Sequence, residues 1–417
     1  MIRGHLISWA RASPLAPLSN MTIAISSVVQ RLEPSATLAM SAQAKKLTAQ
    51  GKTVYDLSLG EPDFSTPPHI CEAAADAIKT GHTKYTIPSG IPELKSAIAK
   101  KYEIDNGLQY EAAQVVIANG AKHALHNAFF TTLNPGDEVI IPAPYWVSYA
   151  ELVKLSGAVP VILPTEESHN FKMSAKQFEK AITPKTRMLL LCSPSNPTGT
   201  MYRRSELETL ADVVLAHNLF VVADEIYDKL VYGDNTFVSF PGVRQNLQDR
   251  TIVVGGVSKT YSMTGWRIGW TLSPAHVAKK MGELQSQETS NPCSISQYAA
   301  LAALTGSQDC VAAMLSAFAQ RREYVLKRLA AMEGISCPEI SGAFYAFFNV
   351  KKFLGRKLGG VQIDNSEQFC LELLTQKQVA TVMGSAFGCE GYVRASFAAN
   401  LEVLKEAFDR IETFVHG

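Results

Sequence analysis

Thr251-Ile252-Val253-Val254-Gly255-Gly256-Val257-Ser258-Lys259-Thr260-Tyr261-Ser262-Met263-Thr264-Gly265-Trp266-Arg267-Ile268-Gly269 is the stretch on which the reading of this chain turns. Its first four residues are apolar or β-branched and read as a buried strand, broken by the glycine pair. Lys259 is then a long ammonium chain delivered from the end of that strand. Burying a lysine is unfavourable unless the charge is paired or the amine is used, and desolvation lowers its pKa toward a nucleophile. Eight residues on, Arg267 offers a permanent cation with a fork suited to phosphate. An ordinary strand-to-loop exit with a solvated lysine could carry the same letters, so the segments around it decide.

Working outward, apolar runs alternate with amphipathic stretches over residues 65–305. Candidate strands are Val115-Val116-Ile117-Ala118, Glu138-Val139-Ile140-Ile141, Val159-Pro160-Val161-Ile162, Met188-Leu189-Leu190-Leu191, Phe220-Val221-Val222-Ala223 and Thr251-Ile252-Val253-Val254. Between them, residues 122–132, 146–156 and 204–217 place apolar side chains at three- and four-residue spacing. Apolar strands separated by helices predict an α/β domain, a mostly parallel sheet flanked by helices. Beyond residue 306 the pattern changes. A long helix is expected over 308–332, short strands around 343–350, 379–383 and 392–397, and a last amphipathic helix over 401–414. The expected organisation is a tail at 1–20, an N-terminal segment of a smaller α+β domain at 21–64, a large domain at 65–305 and the rest of the small domain at 306–417.

Composition excludes several classes. The 417 residues are 47% hydrophobic and 18% charged, with 39 basic against 38 acidic side chains and a net charge of +1. That balance gives no nucleic-acid footprint and no polybasic membrane face, and no apolar run approaches the ~20 residues of a membrane helix. Seven scattered cysteines without a Cys-x-x-Cys pair suggest a reduced, cytoplasmic protein. Residues 1–20 carry Arg3 and Arg11 and no acid, as a weak targeting leader would; a flexible tail, or a functional start at Met21, is the simpler reading.

Each motif falls where a predicted strand ends, the position at which such sheets bind ligands. Asn119-Gly120-Ala121-Lys122 opens a helix with small residues, which suits an anion at its N-terminus or simply a strand-helix turn. Trp146, in Pro142-Ala143-Pro144-Tyr145-Trp146, offers a flat face for an aromatic ligand or fills the core. Ser193-Pro194-Ser195-Asn196-Pro197-Thr198-Gly199 is a rigid turn that admits a cis peptide and fixes the Asn196 amide at the sheet edge. Asp224, in Val222-Ala223-Asp224-Glu225-Ile226-Tyr227, is an acid at the end of a buried strand and needs a partner, unless the pair is a surface turn. Arg394, within Gly391-Tyr392-Val393-Arg394-Ala395-Ser396-Phe397, suits a bidentate grip on a carboxylate, or a salt bridge at the core rim. A lysine nucleophile beside a phosphate clamp is what pyridoxal phosphate (PLP) chemistry requires, because a lysine must hold the cofactor aldehyde as a Schiff base. With that ligand, Asp224 would keep the pyridine nitrogen protonated and Tyr227 would donate to the ring's phenolic oxygen.

Taken together, these stretches resemble the fold-type I PLP-dependent aminotransferases, most closely the I-beta subgroup of aspartate aminotransferases. The landmarks run from about Ser27 to the C-terminus: Leu59-Gly60-Glu61-Pro62-Asp63-Phe64, Lys84-Tyr85-Thr86, Gly90-Ile91-Pro92-Glu93-Leu94, Pro144-Tyr145-Trp146-Val147-Ser148-Tyr149, Asn196-Pro197-Thr198-Gly199, Asp224-Glu225-Ile226-Tyr227, Ser258-Lys259, Met263-Thr264-Gly265-Trp266-Arg267-Ile268-Gly269 and Gly342-Ala343-Phe344-Tyr345. The resemblance implies a seven-stranded sheet in the large domain and a ping-pong exchange of an amino group between an amino acid and a 2-oxo acid. By the same resemblance Lys259 is the Schiff-base lysine and proton carrier. Asp224 pairs with the pyridinium, Tyr227 and Asn196 bind the ring oxygen, and Trp146 stacks on the ring. Gly120, Ala121, Lys122, Ser258 and Arg267 surround the phosphate. Tyr85 reaches the phosphate of a neighbouring subunit, which implies a homodimer with shared sites. Arg394, with Asn196, Trp146 and the Gly60 backbone, holds the substrate on its α-carboxylate side.

Two departures stand out. The family commonly reads Gly-Gly-Lys-Gln where this chain has Gly120-Ala121-Lys122-His123. Close relatives often carry lysine where Arg31-Leu32-Glu33-Pro34-Ser35-Ala36-Thr37 has Glu33, and a glutamate facing the site would repel a second carboxylate. Aspartate with 2-oxoglutarate as acceptor is the leading substrate pair, with Lys122 as the distal cation. An aromatic amino acid or prephenate is the alternative, and a carbon–sulfur lyase or an aminocyclopropane-carboxylate synthase stands further off. A PLP-binding module of a transcription factor would need a DNA-binding domain ahead of the match, and only some 20 to 25 residues precede it. No metal is expected, since His123 and His126, three apart on a helix, lack an evident third ligand.

Overall fold

The computed structural model describes residues 23–417. The expectations for residues 1–20 and for Met21 fall outside them. Seven strands form one sheet: β1 (Val115–Ala118), β2 (Glu138–Ala143), β3 (Val159–Pro164), β4 (Thr186–Cys192), β5 (Phe220–Asp224), β6 (Thr251–Gly256) and β7 (Gly269–Leu272), in the order β1-β7-β6-β5-β4-β2-β3. Every pairing is parallel except the two made by β7, which runs against both β1 and β6. The mostly parallel α/β sheet expected from the apolar runs is therefore present. The strand that six apolar runs alone do not supply is β7, a four-residue piece that begins with glycine.

Continuous apolar strands are stable here because both faces are covered, so successive side chains all find a core. Along β4, Met188 and Leu190 pack with helices α1 (Ala121–Thr132) and α2 (Ala275–Glu288) on one face. Leu189 and Leu191 pack with helix Arg204–Ala216 on the other. Val115, Ile117 and Val253 meet helices Pro68–Lys79, Pro92–Asn106 and Ser294–Thr305. Burying each such side chain contributes roughly 1.5–3 kcal/mol before chain entropy is subtracted.

A further apolar core gathers residues 40–57 with residues 314–415, and Phe171, Ile226, Tyr227, Leu230 and Tyr232 join it from the sheet side. It is built on the long helix α3 (Asp309–Ala331), helix Leu401–His416 and a three-stranded antiparallel sheet of β8 (Tyr345–Asn349), β9 (Val382–Met383) and β10 (Tyr392–Ser396). Tyr55–Asp56 pairs in parallel with Val379–Ala380, tying the N-terminal segment into this core. Among the described residues no single helix is long and apolar enough to cross a membrane.

Candidate active site

A cavity of about 470 Å³ opens at the C-terminal ends of the parallel strands. Each element delivers one or two side chains to it. Asp224 is the last residue of β5, and Ser258 and Lys259 follow β6 after Val257. Trp146 comes from the loop after β2 and Asn196 from the turn after β4, where Ser193–Pro194 and Asn196–Pro197 are cis peptides. Gly60 and Arg394 reach in from the second core, Arg394 from the middle of β10 with Phe347 as its register partner on β8.

Gly120 caps α1 with φ at +83°, a left-handed conformation that glycine adopts without strain. A Cβ there would lie 2.2 Å from Nη2 of Arg267, so the guanidinium rests on the bare backbone of the turn. Arg267 itself ends a short turn at φ +58°. Its Nη1 donates to the Thr264 carbonyl (2.9 Å) and its Nη2 to the Asn119 carbonyl (3.3 Å). Lys122 places its ammonium 5.1 Å from the centre of the Trp146 ring. Free backbone N–H groups at the start of α1 and these two cations together form a seat for a phosphate.

At the floor of the cavity Asp224 is buried at 3% exposure, with Glu225 at 4%, so the surface-turn alternative does not hold. Tyr149 donates its hydroxyl to Asp224 Oδ2 at 2.6 Å and the Ile226 N–H reaches Oδ1 at 3.2 Å. Burial pushes the Asp224 carboxyl up to about 6 despite these donors. Lys259 donates to the Gly60 carbonyl at 2.6 Å. Burial lowers its amine to about 8; the nearby Glu61 carboxylate opposes that shift, and Arg267 and Arg394 add to it. Arg394, at 1% exposure, donates to Asn196 Oδ1 (3.0 Å) and to the Ser58 carbonyl (2.5 Å), and stacks over the Tyr345 ring. Its Nε is buried without a partner.

Lys122, Lys259, Arg267 and Arg394 thus face one cavity, and none lies within ion-pair distance of a carboxylate among the described residues. Arg394 is buried and Lys259 largely so, and a buried cation requires an anion; Lys122 and Arg267 stand exposed at the mouth and add to the same positive field. A ligand with a phosphate at one end, an amine-reactive carbon and a ring nitrogen facing an acid fits this set, and PLP has all three.

Of the residues singled out from sequence, Gly60, Ala121, Lys122, Trp146, Asn196, Asp224, Tyr227, Ser258, Lys259, Arg267 and Arg394 line the cavity, and Gly120 adjoins it beneath Arg267. Tyr85 does not; it is 90% exposed on this chain. Glu33 does not line it either. It is exposed and its N–H donates to Glu151, while Thr37 and Leu38, a turn further along, reach the cavity. Two tyrosines that the sequence offers only as landmarks, without a role, also line the cavity. Tyr149 sits three residues after Trp146, the spacing of one helix face, and their rings meet edge to face at 5.3 Å. Tyr345 exchanges a hydrogen bond with Tyr227 (2.9 Å), and only the folded register of β8 brings it there.

The family sequence model described as "Aminotransferase class I and II" matches residues 52–411. The chain is 46% identical over 395 residues to an aspartate/prephenate aminotransferase of Cereibacter sphaeroides, covering 94% of this chain and 99% of that one. In structure it resembles the aspartate aminotransferase of Rhizobium meliloti, with a TM-score of 0.91 and 42% identity, covering 94% and 99% of the two chains. It also resembles the Thermus thermophilus aspartate aminotransferase with maleate, with a TM-score of 0.88 and 38% identity over the same shares. The chain belongs to the class I and II aminotransferases, fold-type I enzymes that depend on PLP.

Proposed function

We propose that the chain moves the amino group of L-aspartate to 2-oxoglutarate, giving oxaloacetate and glutamate by a ping-pong mechanism. The observation that carries this reading is the group of four cations without anionic partners in one cavity. They outnumber what the cofactor phosphate needs and leave Arg394 and Lys122 for a substrate with two carboxylates. The names of the relatives support aspartate, and maleate, found with the Thermus enzyme, is a four-carbon dicarboxylate. The position of Glu33 outside the cavity lifts the like-charge objection to such a substrate.

When bound, PLP supplies an aldehyde that condenses with amines and a ring that accepts the electron pair left on the substrate α-carbon. The chain's residues would do the rest. Arg267, Ser258 and the backbone at Gly120 and Ala121 would hold the phosphate, and Lys122, at the edge of that seat, would face the substrate's distal carboxylate. Trp146 lies on the ring face, Asp224 holds the ring nitrogen protonated, and Tyr149 holds Asp224 in place. Tyr227 and Asn196 donate to the ring oxygen. Arg394, with Asn196 and the Gly60 backbone, would orient the α-carboxylate, and Lys259 Nζ would carry the proton between the α-carbon and cofactor C4′.

The same reading includes a homodimer in which Tyr85 serves the partner's phosphate seat. It divides the chain into a large domain at 65–305 and a small domain formed by 21–64 and 306–417. It also places the enzyme in the cytoplasm, which the seven free cysteines support. An aromatic amino acid or prephenate is the second reading, favoured by the name of the Cereibacter relative. Comparing aspartate, phenylalanine, alanine and arogenate as donors to 2-oxoglutarate separates the two. We expect aspartate to have the highest kcat/KM, by roughly tenfold or more, the scale on which pocket contacts discriminate substrates. A higher value for phenylalanine or arogenate overturns the aspartate assignment, and release of ammonia in place of glutamate overturns transamination.

A further inference from the structure

His123 stands where the family commonly has glutamine, and the cofactor roles above leave it unused. It is the third residue of α1, and its Nδ1 accepts the Asn119 N–H at 3.2 Å. Asn119 is the residue just before the Gly120 cap. It is held from two further sides, by Arg267 Nη2 at its carbonyl (3.3 Å) and by Thr289 Oγ1 at its side-chain amide (3.2 Å). A third-position side chain that reaches back to the turn does the work of a capping-box glutamate or glutamine. We propose that His123 is a positioning residue whose neutral imidazole holds the Asn119–Gly120 turn in the shape that receives the cofactor phosphate.

A backbone N–H can only donate, so Nδ1 must be the bare nitrogen and Nε2 carries the proton. Nε2 is buried without a hydrogen bond, 3.6 Å from Glu288 Oε2, while His126 Nε2 meets Glu288 Oε1 at 2.9 Å. Two imidazoles and a carboxylate invite a metal, but a ring already protonated at Nε2 cannot ligate there. The site is therefore a scaffold for the turn.

The consequence is a dependence on pH. A second proton on the ring must go to Nδ1, where it faces the Asn119 N–H and abolishes the bond. The charged groups around His123 are few. Glu288 faces it from α2 and His126 from its own helix. Strands β1, β6 and β7 beneath α1 carry no charged side chain. On helix Ser148–Leu155, Glu151 and Lys154 pair with each other. Burial, with His126 adding to it, keeps the His123 pKa below its ordinary value, against the pull of Glu288. The bond is thus intact at neutral pH and is lost as the pH falls through the depressed pKa.

The proposal rests on the cofactor reading above and is tested on the full-length holoenzyme. Release of PLP after dilution is followed by absorbance at about pH 8 and about pH 4.5, the lower value set well below the ordinary imidazole range because the His123 pKa is depressed. H123Q keeps an acceptor at every pH. It should hold the cofactor as wild type does at the upper pH and lose less of it at the lower one. H123L should release it roughly tenfold faster at the upper pH, the effect expected of one unpaired buried N–H. If wild type and H123Q share the same pH dependence, or H123L retains the cofactor as wild type does, the proposal is overturned. Should H123L fail to fold, the comparison of wild type with H123Q decides alone. A wild-type protein that binds no PLP overturns the cofactor reading itself.

Discussion

Lys259 and Asp224 are drawn toward each other in proton affinity, from 10.5 down to about 8 and from 3.8 up to about 6. One cause serves both, since burial disfavours the charged form of each. At neutral pH about a tenth of Lys259 would be free amine, against well under a thousandth of an ordinary lysine. The sign follows directly. The neutral, nucleophilic form grows as pH rises, is half formed near pH 8 and saturates about a unit higher. In the cofactor-free protein, labelling of Lys259 by an amine-reactive reagent should therefore climb with pH, with its midpoint near 8 and a plateau by about 9, with K259A as the blank. A rate that keeps rising to the ordinary lysine range near pH 10 would refute the buried environment. This residue was legible in the sequence because a lysine cannot be left at a buried strand end without a reason. Tyr149 and Tyr345 were not, since their roles come from contacts 75 and 118 positions away in the chain, with Asp224 and Tyr227.

At the scale of elements, six strands announced themselves by uninterrupted apolar runs, and β7 did not. Gly-Trp-Thr-Leu begins with a residue that weakens strands, and it follows directly on the Lys259–Ile268 segment, as whose continuation it reads as loop. The reason for that glycine is visible only in three dimensions. A Cβ on Gly269 would lie 2.4 Å from the Ala121 nitrogen and 2.5 Å from the Gly120 carbonyl carbon, so β7 runs directly under the start of α1. Backbone on both sides leaves little room to relax. G269A should lower stability by about 1–3 kcal/mol, the usual range for overpacking. Because the displaced backbone is the proposed phosphate seat, the variant should also bind PLP more weakly. Thermal unfolding and a cofactor titration check the two effects separately, and an unchanged affinity would show that the turn is not held from below. The Glu33 question was unreadable for a related reason. Sequence places Glu33 and Thr37 one helical turn apart, and only the docking of this segment on Glu151 decides which of them meets the cavity.

For the whole molecule, the segment 57–66 is the strap between the two cores. Arg321 on α3 holds Asp63 in a bidentate pair at 2.7 and 3.0 Å and also donates to the Ala398 carbonyl. On the other side the strap meets the Lys259 loop, where Thr66 donates to the Ser262 carbonyl and Trp266 to Thr66 Oγ1. Every group needed for the proposed chemistry then lies on one chain, except Tyr85. It stands 90% exposed beside Ile87 at 55%, which leaves its ring free to meet another chain. If the active unit is a two-fold dimer and each Tyr85 serves the opposite site, two crippled chains should repair one another. In a hybrid of K259A and Y85A subunits, one site has lost both residues and the other has lost neither. Random pairing makes half the dimers hybrids, so roughly a quarter of all sites would be intact, by the symmetry of a closed two-fold pair. Mixing the two unfolded variants and refolding them together should therefore return up to that share of wild-type activity, well above the sum of the separate parents. Recovery no greater than that sum would mean that Tyr85 acts within its own chain or has no part in the site. The arrangement proposed for the dimer would then have to be abandoned, even with the single-chain geometry of Lys259, Asp224 and Arg394 intact.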